Sequence, residues 1–299
     1  MNEGSRAEEN SPEIRMDIRG EDIHPEIPEN GGTVLVLQRN ARDDRSDPSS
    51  PEYGALVPEA AEEAEKTAEN FFNEIFDDLS EDEKGKVAII VFASDAALTT
   101  PSGANSLHKR AFETGERVLG GIKESMARNG ISPKQLLNNS PSGKGEPVGA
   151  TGLVDLTMFK ESPAFVKHML EKYGPDKEFW LEYEDDNEID AREKLGAEGP
   201  VEIAIRMREA LTSLTQDVAT SYHKSNPDSL LYIWAVSHYD SISPWLKGYV
   251  YQADPTKLYA PVEQGGGITI KIDKENKSAE TTIGGETFKI PSLLAKPKK

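Results

Sequence analysis

Three apolar runs in this sequence end in residues that could do chemistry. "TVLVLQRNARDD", residues 33–44, closes on Arg39, Asn40, Arg42 and Asp43; "KVAIIVFAS", residues 86–94, leads to Ser94 and Asp95; "SLLYIWAVSH", residues 229–238, ends in Ser237 and His238. Guanidinium, carboxamide, carboxylate and imidazole groups can together hold an anion, exchange hydrogen bonds and move protons. Taken singly, an arginine just past a strand is more often solvated or salt-bridged, and a histidine there can simply cap or pack. The chemistry therefore depends on whether the three ends meet.

Each run is short, apolar and suited to a central strand of an α/β sheet. Between them lie helical patterns. In "PEAAEEAEKTAENFFNEIFDDL", residues 58–79, Ala61, Ala64, Ala68, Phe72, Ile75 and Leu79 recur at three- and four-residue spacing. Pro58 suits the first turn, and the glutamates after it suit the positive helix end. Further helices are predicted over 107–129, 162–173, around 177–195 and from about 200 to 222, the last with an apolar stripe of Ala204, Met207, Leu211, Leu214 and Val218. "GGITIKIDKENKSAETTIGGETFKI" alternates apolar and polar positions, which predicts short antiparallel strands joined by turns.

This order predicts a three-layer α/β/α fold with a mainly parallel central sheet, plus short C-terminal antiparallel strands. Ligands of such sheets sit outside the carboxyl ends of the strands, so Arg39-Asn40, Ser94-Asp95 and Ser237-His238 are expected near one rim. Residues 1–31, acidic and poor in apolar side chains, are expected to be a flexible tail. Residues 32–291 then form one domain, and 292–299 a C-terminal tail.

The chain has 299 residues, 36% of them hydrophobic, enough for one large core. It has no cysteine, which excludes disulfides, thiolate metal sites and a cysteine nucleophile. Its 53 acidic and 34 basic residues leave a formal charge of −19, which opposes binding to nucleic acid. A local arginine pocket could still hold a phosphorylated small molecule or phosphate inside an acidic surface. No run nears the roughly 18 apolar residues of a membrane span, and "MNEGSRAEENSPEIR" lacks the apolar stretch of a secretory signal, so a soluble cytoplasmic protein without a membrane partner is expected. His24, His108, His168 and His223 show no metal-site spacing, "WLEYEDDNEIDARE" no calcium-loop spacing, and "SGKGEPVG" lacks the Gly-Lys-Ser/Thr ending of a nucleotide loop. No metal or cofactor is expected; the oligomeric state has no sequence signature.

The order of the motifs resembles the histidine phosphatase superfamily, also called phosphoglycerate mutase-like. Arg39-Asn40-Ala41 stands where that family has Arg-His-Gly or Arg-His-Ala after its first strand. "LVPEAAEEAE" from Leu56 is similar to the family's Leu-Thr-x-x-Gly-x-x-Gln-Ala helix start, and "RAFETG" from Arg110 to its Arg-Ala-x-x-Thr-Ala segment. "WAVSHYDSI" matches the late strand ending in histidine, with His238 in that place. The resemblance covers roughly residues 33–290, with a loop over 95–108 that looks like an insertion.

The resemblance implies that Arg39, Asn40, Arg110 and His238 form a phosphate pocket, with phosphomonoester hydrolysis or phosphoryl transfer as the reaction class. It also implies a leaving-group acid, assigned to Asp155 in "GLVDL", with Glu146 and Glu161 as rivals. The departure is Asn40, which occupies the nucleophilic histidine position. A carboxamide nitrogen delocalises its lone pair into the carbonyl and cannot accept a phosphoryl group. The chain is thus expected to bind phosphate with little or no turnover, either as a pseudophosphatase or as a substrate-trapping variant. Two alternatives stay open: replacement of the nucleophile by His238 or His108, and an interaction protein acting through its acidic helix and loops.

Overall fold

The computed structural model describes residues 17–28, 32–47, 49–97, 108–139, 145–149, 163–174, 177–256, 260–273 and 278–293. In chain order the elements are β1 (Thr33–Arg39), α1 (Pro58–Asp78), α2 (Glu81–Lys84), β2 (Val87–Ala93), α3 (Arg110–Arg128) and β3 (Val148–Gly149). Then come α4 (Pro163–Tyr173), α5 (Lys177–Glu184), α6 (Ile189–Leu195), α7 (Pro200–Thr212), a wide helical turn (Ser213–Val218), α8 (Ala219–Ser225) and β4 (Leu230–Ser237). The chain continues with α9 (Tyr239–Trp245), extended by a second wide turn (Leu246–Val250), and ends in β5 (Gly267–Ile272), β6 (Ala279–Ile283) and β7 (Glu286–Lys289).

Seven strands form one sheet in the order β3-β2-β4-β1-β5-β6-β7. The first four are mutually parallel, and β5 to β7 continue the sheet antiparallel from the β1 side. The parallel strands are apolar at nearly every position because both faces are covered. Along β1, Val34 and Val36 enter the layer shared with Phe71, Phe72, Val118 and Ile122 of α1 and α3. Leu35 and Leu37 enter the opposite layer with Met207, Leu211 and Trp245. This is the predicted three-layer α/β/α arrangement, and the predicted C-terminal strands belong to the same sheet.

The apolar stripe predicted for α1 is buried at every position, Leu79 included. α1 and α3 pack so closely that a β-carbon at Gly121 would lie 2.0 Å from the Glu65 carbonyl oxygen. Part of the acidic face of α1 meets basic residues of α3: Glu69 pairs with Arg128 at 2.5 Å and Glu65 with Arg117 at 3.8 Å. The helical pattern over 177–195 is divided by Asp186, whose φ of 52° turns the chain between α5 and α6. Its carboxylate accepts two hydrogen bonds from Arg192, from Nε at 2.7 Å and Nη2 at 2.8 Å.

Residues 17–28 are not the flexible tail that their composition suggests. Ile18 is fully buried, donates its N–H to the Pro261 carbonyl at 2.9 Å and accepts from the Glu263 N–H at 2.8 Å. Ile23 is buried too, and the Tyr232 hydroxyl donates to the Glu26 carbonyl at 3.3 Å. Two isoleucines and a few backbone bonds anchor a segment whose mean polarity hides them. Likewise Leu293, beyond the expected domain end, is buried and its carbonyl accepts hydrogen bonds from Thr215 and Gln216. Among the described residues no helix is long and apolar enough to cross a membrane.

Candidate functional site

Parallel pairing brings the strand ends together. Arg39 lies opposite Ser237, the Asn40 N–H donates to the Ser237 carbonyl at 2.8 Å, and the Ser94 N–H donates to the Val236 carbonyl at 3.0 Å. The Ala41 N–H is held by the Thr114 hydroxyl at 3.0 Å, and that hydroxyl donates to the Arg110 carbonyl at 2.7 Å. The second residue past β1 and the start of α3 are thus tied side by side.

The Arg39 guanidinium donates to the Val262 carbonyl and lies 4.9 Å from the centre of the Tyr239 ring. Burial, with help from Arg110 and Arg45, lowers its pKa to about 10, so it stays charged at neutral pH. Arg110 is lowered as well, by burial first, while Asp43 works against the shift. Arg110 Nη1 is 3.2 Å from Asp43 Oδ1, and Arg45 Nε is 2.8 Å from Asp43 Oδ2. Burial would raise the Asp43 carboxyl, but the charges of Arg110 and Arg45 outweigh it and leave it below its ordinary range.

Asn40 and His238 meet inside this frame. Both are buried, and His238 Nδ1 is 3.2 Å from Asn40 Oδ1. The Asn40 amide nitrogen donates to the Ala41 carbonyl at 2.9 Å, which fixes which end of the carboxamide faces the ring. Burial, then the positive charges of Arg110 and Arg39, push the His238 pKa down to about 3. The imidazole is neutral at physiological pH.

Asp240, two residues after His238, is buried in the first turn of α9. Burial raises its pKa to about 6, partly opposed by Arg110, Arg39 and Arg206 and by a Ser241 hydroxyl 3.3 Å away. A carboxyl with that value can hold a proton near neutrality and give it up, as a leaving-group acid must.

Of the residues singled out in the sequence, the structure gathers Arg39, Asn40, Arg110 and His238. Arg42 is exposed. Asp155 and Glu161 lie outside the described residues, and Glu146 is exposed beside β3. His108 pairs with Glu113 at 3.0 Å and lines a separate groove of about 660 Å³ with Leu56, Glu62 and Glu65. Sequence reasoning noted Asp43 at the strand end but not its role as the buried counter-charge of Arg110, and it missed Asp240. Each had a signal: a carboxylate a few residues past a strand end that already carried a candidate. Among the described residues no group of three or more acidic or histidine side chains is disposed to hold a metal ion.

No family model matches the sequence, and no curated protein matches it either. Similar chains occur among solved structures. The chain overlaps phosphoglycerate mutase from Bacillus anthracis str. Sterne at 13% identity and a TM-score of 0.42, over 89% of this chain and 96% of that one. It overlaps Hafnia alvei phytase in complex with myo-inositol hexakis sulphate at 12% identity and a TM-score of 0.35, over 88% and 91%. A third is the Bifidobacterium longum multiple inositol polyphosphate phosphatase in complex with inositol hexasulfate, at 9% identity and a TM-score of 0.39, with 90% of each chain covered.

Proposed function

We propose that this chain is a histidine phosphatase-like protein whose strand-end pocket binds a phosphate group, free or on a small molecule, and whose nucleophilic position is silenced by Asn40. The observation that carries the reading is a set of buried nitrogens. Arg39 Nε, Arg110 Nε and His238 Nε2 are all buried and have no hydrogen-bond partner among the described residues. Buried polar groups are normally paired, because an unpaired one forfeits its hydration with no return. Two guanidinium groups within electrostatic range of one another suit a tetrahedral oxyanion, and the neutral His238 ring stands beside them.

Catalytic roles follow from the same residues. Arg39 and Arg110 would hold the phosphoryl oxygens, Asp43 would orient Arg110, and Asp240 would supply the proton to the leaving oxygen. Asn40 would offer hydrogen bonds at the place where attack should begin. The reaction class that this frame suits is phosphomonoester hydrolysis or phosphoryl transfer, with the route through position 40 closed.

The test is thermal unfolding with and without phosphate or vanadate. A ligand that binds only the native state stabilises it by about 2.7 kcal/mol at a hundred times its Kd, so the midpoint should rise by several degrees. Arg39→Ala and Arg110→Ala should each abolish the rise. A wild-type midpoint indifferent to both anions refutes the reading. Asn40→His, which restores a ring nitrogen at the strand end, should bring a large gain in phosphomonoester hydrolysis.

A further inference from the structure

The Asn40–His238 contact determines which histidine nitrogen is available for chemistry. The Asn40 amide nitrogen is committed to the Ala41 carbonyl, an acceptor only, so Oδ1 must be the atom turned toward the ring. An amide oxygen only accepts, and His238 Nδ1 must therefore carry the proton. In a neutral imidazole with its proton on Nδ1, the lone pair sits on Nε2. That atom is buried among the arginines and has no hydrogen-bond partner among the described residues. An asparagine that fixes a histidine tautomer in this way is a positioning residue, holding the ring nitrogen ready toward the pocket.

We infer that His238 Nε2 is a phosphoryl acceptor, and that Asn40, in losing the nucleophile's role, has become the residue that orients the replacement. The inference rests on the phosphate-binding reading above. In the first step the Nε2 lone pair attacks phosphorus while the bond from phosphorus to the leaving oxygen breaks. The departing electron pair stays on that oxygen, which takes a proton from the Asp240 carboxyl. In the second step water attacks the phosphorus of the Nε2-phosphohistidine, the Asp240 carboxylate takes the water proton, and the P–N electron pair returns to Nε2. The products are an alcohol and inorganic phosphate, and both side chains are restored. Burial and the two guanidinium charges keep the ring unprotonated, with a pKa of about 3, so the acceptor lone pair is present at neutral pH.

The experiment incubates the full chain with radiolabelled acetyl phosphate, whose acetate leaving group needs no proton, and maps the label by mass spectrometry. Phosphate that is acid-labile, alkali-stable and located on His238 is the expected result. Asn40→Ala, which frees the tautomer, should lower the labelling rate by at least about tenfold, the loss expected when a group that positions a catalytic histidine is removed. His238→Gln should abolish the label, with its fold checked by circular dichroism and urea unfolding. If phosphate raises the wild-type unfolding midpoint but no label reaches His238, or the label sits on His108, this inference falls and the binding reading stands. If phosphate gives no shift and no label appears, both fall.

Discussion

Asp240 and His238 are buried two residues apart, and the same burial shifts them in opposite directions. The Asp240 carboxyl is raised to about 6 from an ordinary 3.8, and the His238 imidazole is lowered to about 3 from 6.5. Below pH 6.5 the unfolded chain takes up a proton on His238 that the native chain refuses until about pH 3, so acid weakens folding through this group. Between about pH 6 and 3.8 the native chain holds a proton on Asp240 that the unfolded chain does not, so acid strengthens folding through that one. The two contributions oppose each other over this window. Asp240→Asn removes the second, and its stability relative to wild type should fall by up to about 1.4 kcal/mol per pH unit as the pH is lowered below 6. Urea unfolding of both proteins between neutral and mildly acid pH measures it. A variant that tracks wild type throughout would place the Asp240 carboxyl in water. The pair was only half legible in the sequence: His238 ends an obvious strand, whereas the value of Asp240 depends on a burial that no local pattern reports.

Elements position these side chains by close packing. Asn138, in a short helical turn (Leu137–Asn139), donates to the Val91 carbonyl at 3.0 Å and accepts from the Val91 N–H at 2.9 Å, so its carboxamide pairs with β2 as another strand would. On the far side of the sheet, Lys247 in the extension of α9 forms a buried ion pair with Glu184 at the end of α5. α1 also packs closely against α3, the helix that Arg110 begins. Gly120 and Gly121 test it as neighbours. At Gly121 an added β-carbon meets the Glu65 backbone at 2.0 Å, whereas at Gly120 it meets only the movable Glu65 side chain at 3.3 Å. Gly121→Ala should therefore destabilise the protein by about 1–3 kcal/mol through overpacking. Gly120→Ala should be neutral or stabilise by up to about 1 kcal/mol through helix propensity. Equal urea midpoints for the two variants would deny the close approach.

Across the whole molecule, the acidic surface and the buried arginine site are in tension. With a net charge of −19 the protein repels anions at long range, so an anion would have to be held by the local field of Arg39 and Arg110. Closure of the fold around the sheet also involves residues far from the strands in sequence. Ile18 joins the core and its backbone pairs with the segment at Val262, whose carbonyl accepts from Arg39. Ile18→Ala should cost about 2–5 kcal/mol, the range for deleting a buried isoleucine side chain. A urea midpoint unchanged from wild type would mean that this segment does not contribute to the core.

Strand and helix periodicities, the gathering of three strand ends at one rim and the candidacy of Arg39, Arg110 and His238 were determined by the sequence alone. The periodicities and the shared rim rest on local alternation and on the geometry that parallel sheets impose, whereas the candidacy of Arg110 rests on the resemblance of its motif. Only the tertiary structure decided that residues 17–28 are docked, that Asp43 balances Arg110, and that Asp240 is an acid buried beside the guanidinium groups. It also decided that the carboxamide of Asn40 faces His238. These are facts of burial and of contacts between residues far apart in sequence, 67 residues for Asp43 and Arg110 and 198 for Asn40 and His238, and the free energy of a charge or a hydrogen bond depends on what surrounds it in space rather than in sequence.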